Sequence, residues 1–159
     1  MTRLRGRAKK GQRVVDDAPD GHWCTTTMVS SVRHDGSTAC MAVDGATTSE
    51  VFRAYVRHVL LPILQPGDIV VLDNLSAHKD NESLQLIESV GAEVRFLPPY
   101  SPDLNPIEKM WSKVKEFLRS AKARTQEALF KAIGDALGTI NTQDAINWFA
   151  SCGYTTSDS

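Results

Sequence analysis

The sequence predicts a single α/β domain, and three observations carry that prediction. Its 159 residues amount to about one domain, long enough to bury a hydrophobic core. The apolar pattern changes period along the chain, alternating in some stretches as a strand does and recurring every three to four residues in others as a helix does. These stretches follow one another as strand, strand, helix, strand, helix, strand and then helices, which is the order of a sheet with crossover connections. With 42% apolar and 23% charged residues, the composition is that of a globular protein. No internal repeat or low-complexity linker divides it, so residues 1–159 are read as one domain.

Residues 23–33, WCTTTMVSSVR, are rich in Thr, Val and Ser and run into the turn signal HDGS. TACMAVDGA follows as a second extended run, and the pair reads as a β-hairpin. TTSEVFRAYVRHVLLPIL then offers Ser and Thr caps before Val51, Phe52, Tyr55, Val56, Val59, Leu60 and Ile63, an apolar stripe at helical spacing that Pro62 and QPG end. DIVVLDN is a short continuous apolar run, the pattern of a strand buried on both faces, with Asp73 at its carboxyl end. Residues 80–90 fit a helix with Leu84, Ile87 and Val90 inward, and AEVRFL alternates as another strand, completing a β-α-β crossover. Beyond a proline-rich loop, Ile107, Met110, Trp111, Val114, Phe117 and Leu118 trace a helix face. Two further helices are expected at 125–139 and 142–150.

No apolar run approaches the roughly 18 residues that span a bilayer. The N-terminus MTRLRGRAKKGQRVV is basic and lacks the apolar block of a signal peptide, so the expectation is a cytoplasmic protein. Cys24, Cys40 and Cys152 are widely spaced, with no CxxC pair, and indicate neither a disulfide framework nor a zinc ribbon. The net charge of −1 is unevenly placed: residues 1–13 hold six bases and no acid, leaving 12 bases against 19 acids elsewhere. A second basic run, Lys109, Lys113, Lys115, Arg119, Lys122 and Arg124, is opposed only by Glu116. By charge alone, each run reads as a solvated face or as a phosphate-binding surface.

Two acids stand out. In LPPYSPDLNPIEKMW, residues 97–111, Asn105 is a good N-cap, Pro106 suits the first helical position, and Glu108 completes a capping-box pattern that would account for it structurally. Asp73 ends a strand, where α/β sheets place their sites and where a carboxylate suits a hard divalent cation; it can equally be a turn former beside Asn74.

DIVVLDNLSAHK followed by FLPPYSPDLNPIEKMWSKVKEFLR closely resembles the DDE-superfamily transposases. The likeness is to their bacterial insertion-sequence branch, the insertion sequence six-hundred-and-thirty family, allied to the mariner transposases. In that family the second catalytic aspartate ends a strand in a DN…H context and the third acid sits in SPDLNPIE with 34 residues between them, as 34 residues separate Asp73 from Glu108 here. GHW, TTT, DGA, RT.EAL..AI and the closing Gly153–Tyr154 also fall in the family's order.

The resemblance implies a ribonuclease-H-like fold, a mixed sheet flanked by helices. Three acids in that fold hold two magnesium or manganese ions for in-line displacement at phosphorus. Asp73 and Glu108 map onto two of those acids, as catalytic and metal-binding residues, with Asn74, His78 and Asn105 in support. His78 either orients ligands or phosphate or is a helix-surface histidine. The implied partner is double-stranded DNA, held through Arg3, Arg5, Arg7, Lys9, Lys10, Lys113, Lys115 and Arg119. A homodimer or other protomer assembly is implied, with no membrane and no small-molecule substrate, in a bacterial cytoplasm where DNA binding makes the protein nucleoid-associated. Trp23, Trp111 and Trp148 are expected in the core.

The family's first aspartate lies in a DE motif shortly before the segment matching MTRLRGR. Asp16 and Asp17 fall in a loop and Asp44 corresponds to a different family position, so none of them replaces it. The expectation is therefore the C-terminal catalytic part of a transposase. It lacks the first, central strand, which belongs between the hairpin and the Asp73 strand, and by itself it should neither cleave DNA nor fold well. DNA strand cleavage and strand transfer is the implied activity. The alternative is an inactive remnant that only binds DNA or a full-length protomer.

Overall fold

The computed structural model describes residues 25–155. Arg3, Arg5, Arg7, Lys9, Lys10, Asp16, Asp17, Trp23 and Cys24 lie outside the described residues. The expected hairpin forms from β1 (Thr26–Val32) and β2 (Thr38–Asp44), antiparallel with Thr26 opposite Asp44 and Val32 opposite Thr38. Its turn needs Gly36: φ is +90°, and a Cβ there would come within 2.9 Å of the Asn141 backbone, where the hairpin tip meets the last helix.

The helix expected after the hairpin begins as α1 (Ser49–Tyr55), where Thr48 Oγ1 accepts from the Val51 N–H at 3.2 Å. It then widens into a π turn over Val56–Leu60 and tightens into a 3-10 turn over Leu61–Ile63. Pro62 accounts for the change of register. It has no N–H to donate and its ring crowds the carbonyl four residues back, and the preceding Leu61 N–H reaches Val56 O instead.

β3 (Ile69–Leu72), α2 (Asn81–Ser89) and β4 (Glu93–Phe96) make the expected crossover, with β3 and β4 parallel and Leu72 beside Phe96. α3 (Pro106–Ala121), α4 (Gln126–Gly138) and α5 (Thr142–Ser151) follow. Val29, Phe52, Tyr55, Val56, Leu60, Leu72 and Ile87 form one core cluster. Met110, Val114, Ala132, Ile133, Ala136 and Ala145 are buried along α3, α4 and α5. Trp111 and Trp148 are only half-buried.

Among the described residues the four strands do not form one mixed sheet. They make two separate pairs, β1–β2 and β3–β4. Between the pairs runs a cleft of about 600 Å³ lined by residues 28–35 without a gap and residues 68–73 without a gap. Successive side chains of a strand point to opposite faces, so an unbroken run of lining residues means that the cleft meets the edges of β1 and β3. Both strands thus have one edge unpaired by any described strand. β3 is accordingly not buried on both faces as its apolar run suggests; Ile69 is 51% exposed.

The two halves are held at other points. Arg33, just after β1, donates to both Asp68 oxygens at 2.9 and 2.7 Å, just before β3. Tyr55 of α1 donates its hydroxyl to Ala39 O of β2 at 3.0 Å. No helix among the described residues is long and apolar enough to cross a membrane.

Candidate active site

Asp73 follows the last residue of β3, and its Oδ1 accepts from the Leu75 N–H at 3.0 Å. The turn-forming reading of this acid is therefore realised, and it occupies only one oxygen. His78 lies in a 3-10 turn (Ser76–Lys79), with its ring 4.6 Å from that of Phe52 and its Nδ1 2.7 Å from Asp73 Oδ1. The Nδ1–H direction misses the carboxylate, so this is a close polar contact and not an aligned hydrogen bond. His78 is wedged between Phe52 of α1 and the acid, and is carried by a 3-10 turn.

The segment behind His78 is fixed by Asp80. Its carboxylate caps α2 by accepting from the Ser83 N–H at 3.0 Å, and Arg53 of α1 donates to it at 3.0 and 2.6 Å. The Arg53 guanidinium, followed by the Ser83 hydroxyl, holds the Asp80 carboxyl far below the usual carboxylate range. Sequence reading passed over Asp80, although DNES carries an N-cap signature.

Asn74 Nδ2 donates to Leu97 O, which joins the end of β3 to the residue after β4 and anchors the start of the proline loop. The loop passes through a 3-10 turn (Pro102–Leu104), where Leu104 O accepts from the Tyr154 hydroxyl at 2.9 Å. The residues after α5 thus brace the approach to α3 from outside it.

The capping box expected at Asn105 and Glu108 does not form. Asn105 holds the N-cap position with extended φ and ψ of −110° and 102°, yet its side chain makes no bond to the helix. Only backbone closes this turn, Glu108 N–H to Asn105 O at 3.1 Å. The Glu108 carboxylate is exposed and makes no hydrogen bond or ion pair among the described residues. A capping role therefore leaves it unexplained.

Asp73, Asn105 and Glu108 line the 600 Å³ cleft and also a second cleft of about 510 Å³ bordered by residues 97–102 and Lys79. They stand where the two clefts meet. Asp73 and Glu108 are hard carboxylate donors, and Asp73 Oδ2 has no protein donor among the described residues. This chemistry fits one magnesium-like ion, which takes one or two carboxylates and completes its shell with water and substrate phosphate. It does not furnish a two-ion site, because no group of three His, Cys, Asp or Glu suited to a metal occurs among the described residues.

The expected DNA-binding bases divide. Lys115 and Arg119 are exposed on α3. Lys113 is committed elsewhere: its ammonium lies 2.5 Å from Asp144 Oδ2 and 3.0 Å from Thr139 O, tying α3 to α5. That contact, with the Asn141 N–H, holds the Asp144 carboxyl below its ordinary value. A family model described as DDE superfamily endonuclease matches residues 1–130. No curated protein matches the chain.

Proposed function

Because this chain belongs to the DDE superfamily endonucleases, we propose that it is the catalytic part of a DNA transposase of the insertion sequence six-hundred-and-thirty branch. On this reading the fold is ribonuclease-H-like, and Asp73 and Glu108 are two of the three acids that act on a DNA phosphodiester. One observation carries the proposal. Two carboxylates with 34 residues between them in sequence line both of two adjoining clefts, and the second of them has no structural partner among the described residues.

Asp73 and Glu108 would hold magnesium or manganese, which when bound supplies activation of water or a 3′-hydroxyl and charge stabilisation at the leaving oxygen. The rest falls to the chain itself. The Leu75 N–H fixes which Asp73 oxygen faces the protein and leaves the other for the cation, and His78 packs beside the held oxygen. Asn74 and Tyr154 hold the two ends of the loop that delivers Glu108. Lys115 and Arg119 neutralise phosphates and position the duplex without reading its bases. The third acid is one that the described residues do not bring to the site, and the cleft between β1 and β3 is where an extended segment carrying it fits.

The test is plasmid nicking in magnesium by the protein together with a strand that carries a third acid into the cleft between β1 and β3. The complemented protein should nick, and Glu108→Gln should abolish nicking while leaving thermal unfolding unchanged. Near-normal nicking by that variant would remove Glu108 from the chemistry. A binding-only reading, a fragment that engages DNA or a complete protomer, is favoured by the two strand edges that no described strand pairs. A well-folded complemented protein that binds DNA and never nicks would select it.

A further inference from the structure

Tyr100 is the residue whose conformation the fold explains least. It is fully exposed, and its backbone sits at φ +56°, in the left-handed region that a bulky residue enters only under strain. A ring with no packing contacts cannot offset that strain. The loop imposes it: Pro99 and Pro102 fix their own φ, Pro102 restricts Ser101, and the Ser101 hydroxyl donates to Pro99 O at 3.2 Å across the turn.

A single exposed aromatic residue is ordinary on a protein surface. What sets Tyr100 apart is its location. It lies on the wall of the 510 Å³ cleft that also holds Asp73, Asn105 and Glu108, and Lys79, with no ion pair among the described residues, lines the same cleft. The cleft is large enough for part of a nucleotide.

We propose that Tyr100 and Lys79 form a nucleotide subsite beside the acids, in which the tyrosine ring stacks on an unpaired base and the lysine ammonium meets a flanking phosphate. This rests on the DNA reading above. Every base presents a π face, so such a platform holds a strand without reading its sequence. A ring presented by a proline-locked loop also loses little conformational freedom on binding. The bases of an intact duplex are already stacked on their neighbours. The subsite therefore favours a strand end or overhang over a continuous duplex.

The test titrates the full 159-residue chain with a short duplex bearing a single-stranded overhang, followed by anisotropy and by the fluorescence of 2-aminopurine placed in the overhang. Binding by the parent should change the 2-aminopurine signal, and Tyr100→Phe should match it. Tyr100→Gly removes both ring and strain, and Tyr100→Leu keeps apolar bulk without a π face. Each should weaken binding about ten-fold or more and lose the fluorescence change. Tyr100→Gly should unfold at the parent temperature or above, which separates lost stacking from lost fold. Lys79→Ala should lower the salt slope by roughly 0.7. Parent-like binding and fluorescence in Tyr100→Gly would overturn the subsite, and a parent-like Tyr100→Leu would overturn stacking as its basis. A parent chain that binds neither overhang nor duplex would overturn the DNA reading itself.

Discussion

Glu108 and Asp144 occupy the same position in two similar sequences, NPIE and NTQD, three residues after an asparagine. Only the second forms a capping box: Asn141 accepts from the Asp144 N–H at 2.8 Å, and Asp144 accepts from the Asn141 N–H at 3.1 Å. At Asn105 the side chain lines the two clefts instead. Asn105→Ala should accordingly cost little stability, under about 0.5 kcal/mol, whereas Asn141→Ala should cost about 1 kcal/mol, compared by chemical denaturation. Equal losses would mean that Asn105 caps after all. Sequence could name both asparagines as caps. Which cap forms depends on where each side chain lies in the folded protein, and residue spacing does not carry that.

At the scale of elements, the same limit applies to the basic face of α3. Lys113, Lys115 and Arg119 look alike as a run, but the fold brings Asp144 of α5 to Lys113 and leaves the other two in solvent. Lys115→Ala and Arg119→Ala should each flatten the salt dependence of DNA binding by roughly 0.9. Lys113→Ala should leave that slope unchanged and instead lower thermal stability by a few degrees, since a partly exposed pair contributes about 0.5–1 kcal/mol. A slope change for Lys113→Ala as large as for its neighbours would place it on DNA.

Ion pairs through Asp68, Asp80 and Asp144 are among those that tether elements to one another, and their cationic partners lower these three carboxyls below the ordinary 3.8. Lowered folded values mean stability that is present above that pH and lost as the pH falls through the folded values. Unfolding temperature should therefore drop steeply below about pH 4, and Asp68→Asn should make the drop shallower. An unchanged slope would remove the Arg33–Asp68 tether from the balance.

For the whole molecule, element order was legible in the sequence because hydrophobic period and turn residues are local. The hairpin, the crossover and the last three helices all stand close to their expected bounds. Sheet assembly is not local. DIVVL reads as a strand enclosed on both sides, yet Ile69 is half exposed, because among the described residues β3 pairs only with β4 and its other edge opens on the cleft facing β1. The candidate site was read as Asp73 and Glu108, and both line the two clefts. The supports at Asp80 and Tyr154 were not legible, since each acts through a contact distant in sequence.

In the proposed function, Asp73 and Glu108 act as one cation site where the two clefts adjoin. The decisive experiment titrates the 159-residue chain with manganese while following backbone amide resonances. Low manganese should broaden residues 73–75 and 105–109 together, and Glu108→Gln should abolish the effect in both segments at once. Broadening at Asp73 that survives Glu108→Gln, or broadening spread over surface acids with neither segment favoured, would contradict that single site.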